Sequence, residues 1–343
     1  LPRKSEPRTR ARSIAVIGSS NTDLIIRVPR IPRAGETLLG GEFLTAAGGK
    51  GANQAVGAAR AGGKVALIAR VGKDAFGDQA IAGLRRDGVD VRHVSRDPRA
   101  PSGAALIFVA KGGENSIAVA GGANANLSPT DVKRASGVIR SAAWLVAQLE
   151  TPLATVMAAA RVAASAGVPV ILNPAPARAL PNSLLKLISI LTPNETEAEF
   201  LTGIPVTDDA AAAAACSQLR SRGVRTVILT LGARGAFLAD AGGHELVPGF
   251  KVKAVDSTAA GDIFNGALAV ALAEGKSLRQ AVCFANAAAA LSVTRLGAQP
   301  SAPTRTEIER FVGTASKPTL RSKQHFRESV HVPGKSSLRS IAS

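Results

Sequence analysis

The residues best suited to chemistry are a run of small side chains bracketed by two carboxylates, Asp256-Ser257-Thr258-Ala259-Ala260-Gly261-Asp262, which leads through Ile263-Phe264-Asn265-Gly266 into an apolar stretch ending near Glu274. Backbone N–H groups at the start of a helix lack partners and sit at the positive end of the helix dipole. A turn of alanine and glycine there lets an anion such as a phosphate come close, and Asp262 would stand beside it as a base. The chemistry this predicts is phosphoryl transfer. The same eleven residues also read as a helix capped by Thr258 or Asp262, with the glycines shaping the turn only, and alone they leave both readings open.

Other polar groups recur at the ends of apolar runs. Ser13-Ile14-Ala15-Val16-Ile17-Gly18 reads as a buried strand that delivers Asn21 and Asp23, and later strands end at Glu150, Asn173, Asn194 with Glu197, and Thr230 with Gly232. In a parallel sheet these ends share one edge, where α/β proteins bind ligands. Carboxylates, amides and backbone N–H groups beside Lys50 suit a polyhydroxylated substrate next to a metal-bound nucleotide. Asn194 and Glu197 lie at i and i+3, placed to hold Mg²⁺ through its waters or to form a plain capping box. Gly48-Gly49-Lys50-Gly51-Ala52-Asn53-Gln54 brings glycines to a second helix start, but it is neither a Walker A loop nor GxGxxG.

The elements that must position these groups alternate between strand and helix. Strands are expected at 64–71, 143–148, 168–173, 187–192, 224–230, 235–239 and 245–254, and helices at 77–87, 129–140, 152–166, 195–202, 208–222, 260–274, 277–294 and 304–312. Such alternation predicts an α/β fold, a three-layer α/β/α sandwich with a mainly parallel central sheet. Residues 24–47 alternate weakly and are broken by Pro29, Pro32 and Gly35, and three adjacent strands are expected near 89–94, 103–110 and 115–119; together, over about 21–47 and 89–119, they read as a small β-sheet lid. The lid's exposed strand edges predict a homodimer formed through it.

At 343 residues and 46% hydrophobic content the chain can bury a large core, and with 3% aromatic residues that core must pack through small side chains. No apolar run is long enough to span a membrane. Cys216 and Cys283 are isolated, which excludes a disulfide framework or a CxxC zinc site and points to a cytoplasmic setting. Much of the net charge of +17 lies in two tails. Residues 1–13 carry Arg3, Lys4, Arg8, Arg10 and Arg12 against Glu6, and residues 313–343 are similarly basic, with Glu328 as their only acid. Both tails read as disordered, and the first could be the remnant of an organellar targeting segment. Nothing between them has the spacing of a base-reading motif, so no specific nucleic acid is expected. The domain between the tails is expected over residues 14–312.

With these residues assembled, the chain resembles the ribokinase (PfkB) family of carbohydrate kinases from about Ile14 to Val312. The resemblance rests on Gly18-Ser19-Ser20-Asn21-Thr22-Asp23, the Gly48 to Ala55 run, Gln148-Leu149-Glu150-Thr151-Pro152, Asn173-Pro174-Ala175-Pro176-Ala177-Arg178, Thr192 to Glu199, Thr230 to Gly235, and Ala259-Ala260-Gly261-Asp262. It implies phosphorylation of ribose at its 5-hydroxyl by ATP, with Asp262 as general base and the Ala259–Asp262 turn as anion hole. Asn21, Asp23, Gly49, Lys50, Gly51, Asn53 and Glu150 would surround the sugar. Asn194, Thr230, Gly232, Arg234, Gly235, Gly261 and Asn286 would contact the nucleotide, and Glu197 the magnesium. A potassium ion would sit in loops corresponding to Asp256, Thr258, Ser292, Arg295, Gly297 and Ser301, in part on backbone carbonyls. Asn286 replaces the histidine common in the family, and Ile263 a frequent threonine. The alternatives are a sibling kinase for deoxyribose, fructose or adenosine, and a non-catalytic sugar sensor with nucleic-acid-binding tails.

Overall fold

The computed structural model describes residues 13–39, 41–112 and 114–315. The expectations for residues 1–12 and 316–343 lie outside them. The chain begins with β1 (Ser13–Ile17), β2 (Asn21–Val28), β3 (Glu42–Gly48), α1 (Lys50–Arg60), β4 (Lys64–Gly72), α2 (Ala75–Arg86), β5 (Asp90–Asp97), β6 (Gly103–Ala110) and β7 (Asn115–Ala120). It continues through α3 (Pro129–Arg134), α4 (Ser136–Ser141), β8 (Trp144–Ala147), α5 (Leu153–Ser165), β9 (Val170–Leu172), α6 (Asn182–Leu185), β10 (Ile190–Leu191), α7 (Glu195–Thr202) and α8 (Asp209–Ser221). Last come β11 (Thr226–Thr230), β12 (Gly235–Asp240), β13 (Gly243–Pro248), α9 (Ala260–Ala273), α10 (Leu278–Ser292) and α11 (Arg305–Ala315).

Nine strands form the central sheet in the order β13-β12-β11-β10-β9-β8-β1-β4-β5. It is parallel from β11 to β5 and turns antiparallel at its other edge, where Asp240 and Gly243 pair across a two-residue hairpin loop. In β1, Ile14 and Val16 join the core on one face while Ala15 and Ile17 join the core on the other. That two-sided burial is why the strand reads as a continuous apolar run rather than an alternating one. Helices α1, α2, α9, α10 and α11 supply the first core, and α3 to α8 the second.

Helix ends follow local chemistry. The Asp74 carboxylate accepts from Gly77 N at 2.8 Å before α2, and Ser128, Asn194 and Ser277 each open a reciprocal capping box. Helix α9 is buried continuously from Asp262 to Ala271, apolar but for Asp262 and Asn265, and packs between α1 and α10. Its Gly266 permits the closest approach: a Cβ there would lie 2.6 Å from the Gln54 carbonyl oxygen on α1. The α1–α9 contact therefore needs glycine, and it sets the distance between Gln54 and Asp262.

The second sheet has four strands in the order β3-β2-β6-β7, with β2 and β6 parallel and both outer pairs antiparallel. It is fastened at its root, where Ser102 donates through its N and its Oγ, each at 2.7 Å, to the Asp74 carboxylate. Phe43, Leu106, Ile117 and Val119 on this sheet are more than half exposed.

The strand expected near 89–94 as part of the lid belongs instead to the central sheet: β5 pairs with β4 at its edge. The β4-α2-β5 crossover explains this, because a parallel return after one helix lands beside the strand it left. The expected helix 129–140 breaks at Ala135. The strand expected over 245–254 stops at Pro248, leaving a loop from 249 onward. Ser13 opens β1, and α11 extends to Ala315.

Candidate active site

Asp262 lies in the first turn of α9 and is 5% exposed. Its Oδ2 accepts from Asn53 Nδ2 at 3.0 Å and its Oδ1 from Gln54 Nε2 at 2.9 Å. Burial raises the carboxyl above its usual range and Glu150 adds to the rise, while Lys50, Gln54 and Asn53 pull it back. The residue before α9, Ala259, has φ 59 and ψ 12, the left-handed region, where alanine is strained. That kink leaves the N–H groups of Gly261 and Asp262 without a partner among the described residues. A Cβ added at Gly261 meets nothing within 4 Å, so the space beside this turn is open. An anion fits there: two free N–H groups, a helix N-terminus and no side chain in the way.

The sugar-side residues converge on the other face of Asp262. Gly49 caps α1 with φ 88, and a Cβ on it would sit 2.6 Å from Asn21 N, so only glycine lets α1 start against β2. Glu150 Oε2 accepts from Lys50 N at 3.0 Å and from Ser19 Oγ, and Gly51 N donates to that Ser19 oxygen at 3.3 Å. Asn21 Oδ1 accepts from Asn124 Nδ2 at 2.7 Å. Asp23 is raised to about 6, first by burial and then by Glu150. Burial alone would depress the Lys50 amine, but the carboxylates of Asp262, Glu150 and Glu197 lift it above its usual value. Asn53 Oδ1 is buried without a partner. A lone buried acceptor beside two carboxylates and a lysine is a site for a hydroxyl donor.

On the nucleotide side, Asn194, Thr230, Gly232, Gly235, Gly261 and Asn286 line one cavity of about 550 Å³. Its walls also carry Phe250, Val252, Ala289, Ala290 and Val293, with Lys251 as a positive charge. Asn286 Nδ2 donates to the carbonyls of Val247 and Pro248 at 3.1 and 3.2 Å, which fixes its amide. Arg234, expected among the nucleotide contacts, is not brought in. Its guanidinium pairs with Asp209 at the start of α8. Glu197 closes the capping box with Asn194, accepting from Asn194 N at 3.0 Å and donated to by Asn194 Nδ2 at 3.2 Å. Burial raises its carboxyl while the Asn194 N–H and Lys50 lower it, and Asp262 raises it further.

The expected cation loops are tied by Asp256, whose oxygens accept from Thr258 N at 2.9 Å and Gly297 N at 2.8 Å. Burial would raise Asp256, but these bonds hold it below its usual value. Ser292 and Ser301 are buried and bonded to the Ala289 and Ala298 carbonyls. The Arg295 side chain is drawn away to Glu307 at 2.6 Å, so only its backbone is free to face the loop.

Several residues that matter were not singled out by sequence. Gln54 follows Asn53 in α1, and its amide reaches the other oxygen of the same Asp262 carboxylate. Gln148 Nε2 donates to Gln54 Oε1 at 2.6 Å, and its own Oε1 is buried and unpartnered, a loss of about 1–3 kcal/mol. Asn173, which the sequence did single out as a strand end, joins Thr192 and Asn265 in continuing the network to the Gly261 carbonyl, which accepts from Asn265 Nδ2 at 2.8 Å. The Gln54 amide was visible in the motif, but its partner across the sheet was not.

A buried carboxylate between a polar pocket and a cavity of nucleotide size, beside a small second β-sheet, is an arrangement that suits a small-molecule kinase. The model of the pfkB family carbohydrate kinases matches residues 11–305, and the chain belongs to that family. It is 48% identical over 301 residues to a ribokinase of Haemophilus influenzae, covering 88% of this chain and 98% of that protein. It is 41% identical over 299 residues to a deoxyribokinase of Salmonella typhi, covering 87% and 97%. The structure of an Arabidopsis thaliana ribokinase complexed with ribose and ATP superposes with a TM-score of 0.84 at 35% identity, covering 88% of this chain and 98% of that one. No helix among the described residues is long and apolar enough to cross a membrane.

Proposed function

We propose that this protein is a ribokinase, transferring the γ-phosphoryl group of ATP to the 5-hydroxyl of ribose to give ribose 5-phosphate and ADP. The observation that carries the reading is Asp262, gripped by Asn53 and Gln54 between the sugar pocket and the open N–H turn of α9. Such transfer depends on positioning and charge stabilisation more than on covalent chemistry. Asp23, Asn21, Lys50, Asn53 and Glu150, with the backbone at Gly49 and Gly51, hold the sugar hydroxyls. The Asp262 carboxylate takes the proton of the attacking hydroxyl, and within the Ala259–Asp262 turn the free N–H groups of Gly261 and Asp262 receive the transferring oxygens. The apolar walls around Asn286, Ala289 and Val293 take the base, and Asn194, Thr230, Gly232 and Gly235 its sugar and phosphates. The lid closes over the ribose and excludes water.

Glu197 and Asn194 suit an outer-shell role toward Mg²⁺, whose part when bound is to offset phosphate charge. Asp256, by joining the two loops, leaves carbonyls near Thr258, Ser292, Arg295, Gly297 and Ser301 for K⁺. The exposed Phe43, Leu106, Ile117 and Val119 support a homodimer through the lid, which a monomeric mass at micromolar protein would contradict. Both cysteines are free thiols, in keeping with a cytoplasmic protein.

A deoxyribokinase reading is the second one, because a relative of that name is 41% identical. A coupled ADP assay with ribose, deoxyribose, fructose and adenosine, each with and without potassium, separates them. Fastest turnover with ribose, dependent on potassium, is expected. Preference for another acceptor would replace ribose in this account.

A further inference from the structure

We propose that Gln54 and Gln148 form a two-amide relay that holds the Asp262 carboxylate in its reactive orientation: Gln54 is a positioning residue for phosphoryl transfer, and Gln148 orients Gln54. The proposal rests on the reading of Asp262 as the base. A carboxylate only accepts hydrogen bonds, so Gln54 must turn its NH₂ toward Asp262. It gives that group to Asp262 Oδ1 at 2.9 Å and to Asn173 Oδ1 at 3.2 Å. Reversing the amide would place its oxygen against two acceptors. The Gln54 oxygen then needs a donor on the far side, and Gln148 Nε2 supplies it at 2.6 Å.

Gln148 has no other hydrogen-bonded partner among the described residues for its side chain. Its Oε1 is buried and unpaired, and a Cβ on Gly18 would lie 2.0 Å from it. A fully buried amide whose one side-chain bond orients another amide acts through that bond. Both glutamines are 0% exposed, so neither touches substrate. Gln54 comes from α1 and Gln148 from the end of β8, so the relay fastens the base on α9 to the central sheet. Asn53 holds the second carboxylate oxygen at 3.0 Å, leaving no freedom to rotate.

The charges that face Asp262 are Lys50 from α1, Glu150 from the loop after β8 and Glu197 from α7. Lys50 favours the ionised base, whereas burial and the two glutamates oppose it. Gln54 favours ionisation without adding charge, so its loss raises the carboxyl.

The test uses Gln54→Met, Gln148→Met and the double variant of the full chain, with kcat, KM and thermal melting measured across pH. Wild type is assayed first on the sugar panel, and the variants on its best acceptor. Gln54→Met is expected to lower kcat by about 10- to 100-fold, with KM for ATP unchanged and the acid limb of kcat moved to higher pH. Gln148→Met moves both in the same direction by less. The double variant is no worse than Gln54→Met, because Gln148 acts only through Gln54. Wild-type kcat and an unmoved acid limb in Gln54→Met would overturn the relay, as would losses that multiply in the double variant. If Gln54→Met does not fold, the pH profile of Gln148→Met decides in the same way. A wild type that turns over no sugar would take down the kinase reading and the relay together, whereas an active wild type with insensitive variants sinks the relay alone.

Discussion

The two sides of Asp262 are built differently. Toward the sugar, Glu150, Asn53, Gln54 and Asn21 sit in a dense, buried mesh of side-chain hydrogen bonds drawn from α1, β2 and the end of β8. Toward the proposed nucleotide side, the walls are mostly alanine, glycine, valine and phenylalanine, with Asn194, Glu195, Thr230, Lys251, Ser257 and Asn286 spaced among them. A mesh of buried polar groups discriminates strongly, because a ligand that leaves one member unpaired loses its full desolvation cost. An apolar slot discriminates weakly. With the sides assigned as proposed, acceptor choice would rest on wired side chains and nucleotide binding more on shape, so substitutions on the two sides should fail in different ways.

The largest effect should come where the sides meet. Asp262→Asn removes the base but keeps the volume, so kcat should fall by about 10² to 10⁴ while calorimetry still shows ribose and ATP binding. Gly261→Ala should come next. The added methyl meets no protein atom within 4 Å, so thermal stability should hold, but it fills the space for the phosphate and should lower kcat/KM for ATP by about 10²-fold.

Asp23→Asn sharpens the comparison through pH. The carboxyl is raised from 3.8 to about 6, so the folded state binds the proton more tightly than the unfolded chain, and stability is lost as pH rises from 3.8 through about 6. Removing that charge should raise the melting temperature at neutral pH while weakening ribose binding. In the unsubstituted protein, KM for ribose should rise as pH falls below about 6. A lower melting temperature for Asp23→Asn would break this account. Asn286→Ala should do least, raising KM for ATP by about fivefold, equivalent to about 1 kcal/mol, with kcat unchanged. A collapse of kcat there would erase the distinction between the sides.

Much of this was legible from the chain. Ala259 to Asp262 reads as either an anion site or a capped helix start from residue types alone, and the ends of the parallel strands line up because apolar runs of that length make buried strands. What was not legible depends on pairing across the sheet. Nothing local marks Gln148 as the partner of Gln54, 94 residues away. Asn124 offers no periodic signal, yet it brackets Asn21 and Ser20 from beyond the lid. The motif around Arg234 predicts the loop but not the side chain, which pairs with Asp209 in this structure. The position of β5 was misjudged because three adjacent strands suggest one small sheet, whereas the crossover from β4 decides.

The measurement that tests the central claim most directly is product analysis with ribose and ATP. The account predicts ribose 5-phosphate and ADP in equal amounts, and ADP release that falls nearly to zero when the sugar is omitted. Phosphate on another hydroxyl, or ADP released as fast without ribose as with it, would contradict a closed site in which Asp262 activates the 5-hydroxyl.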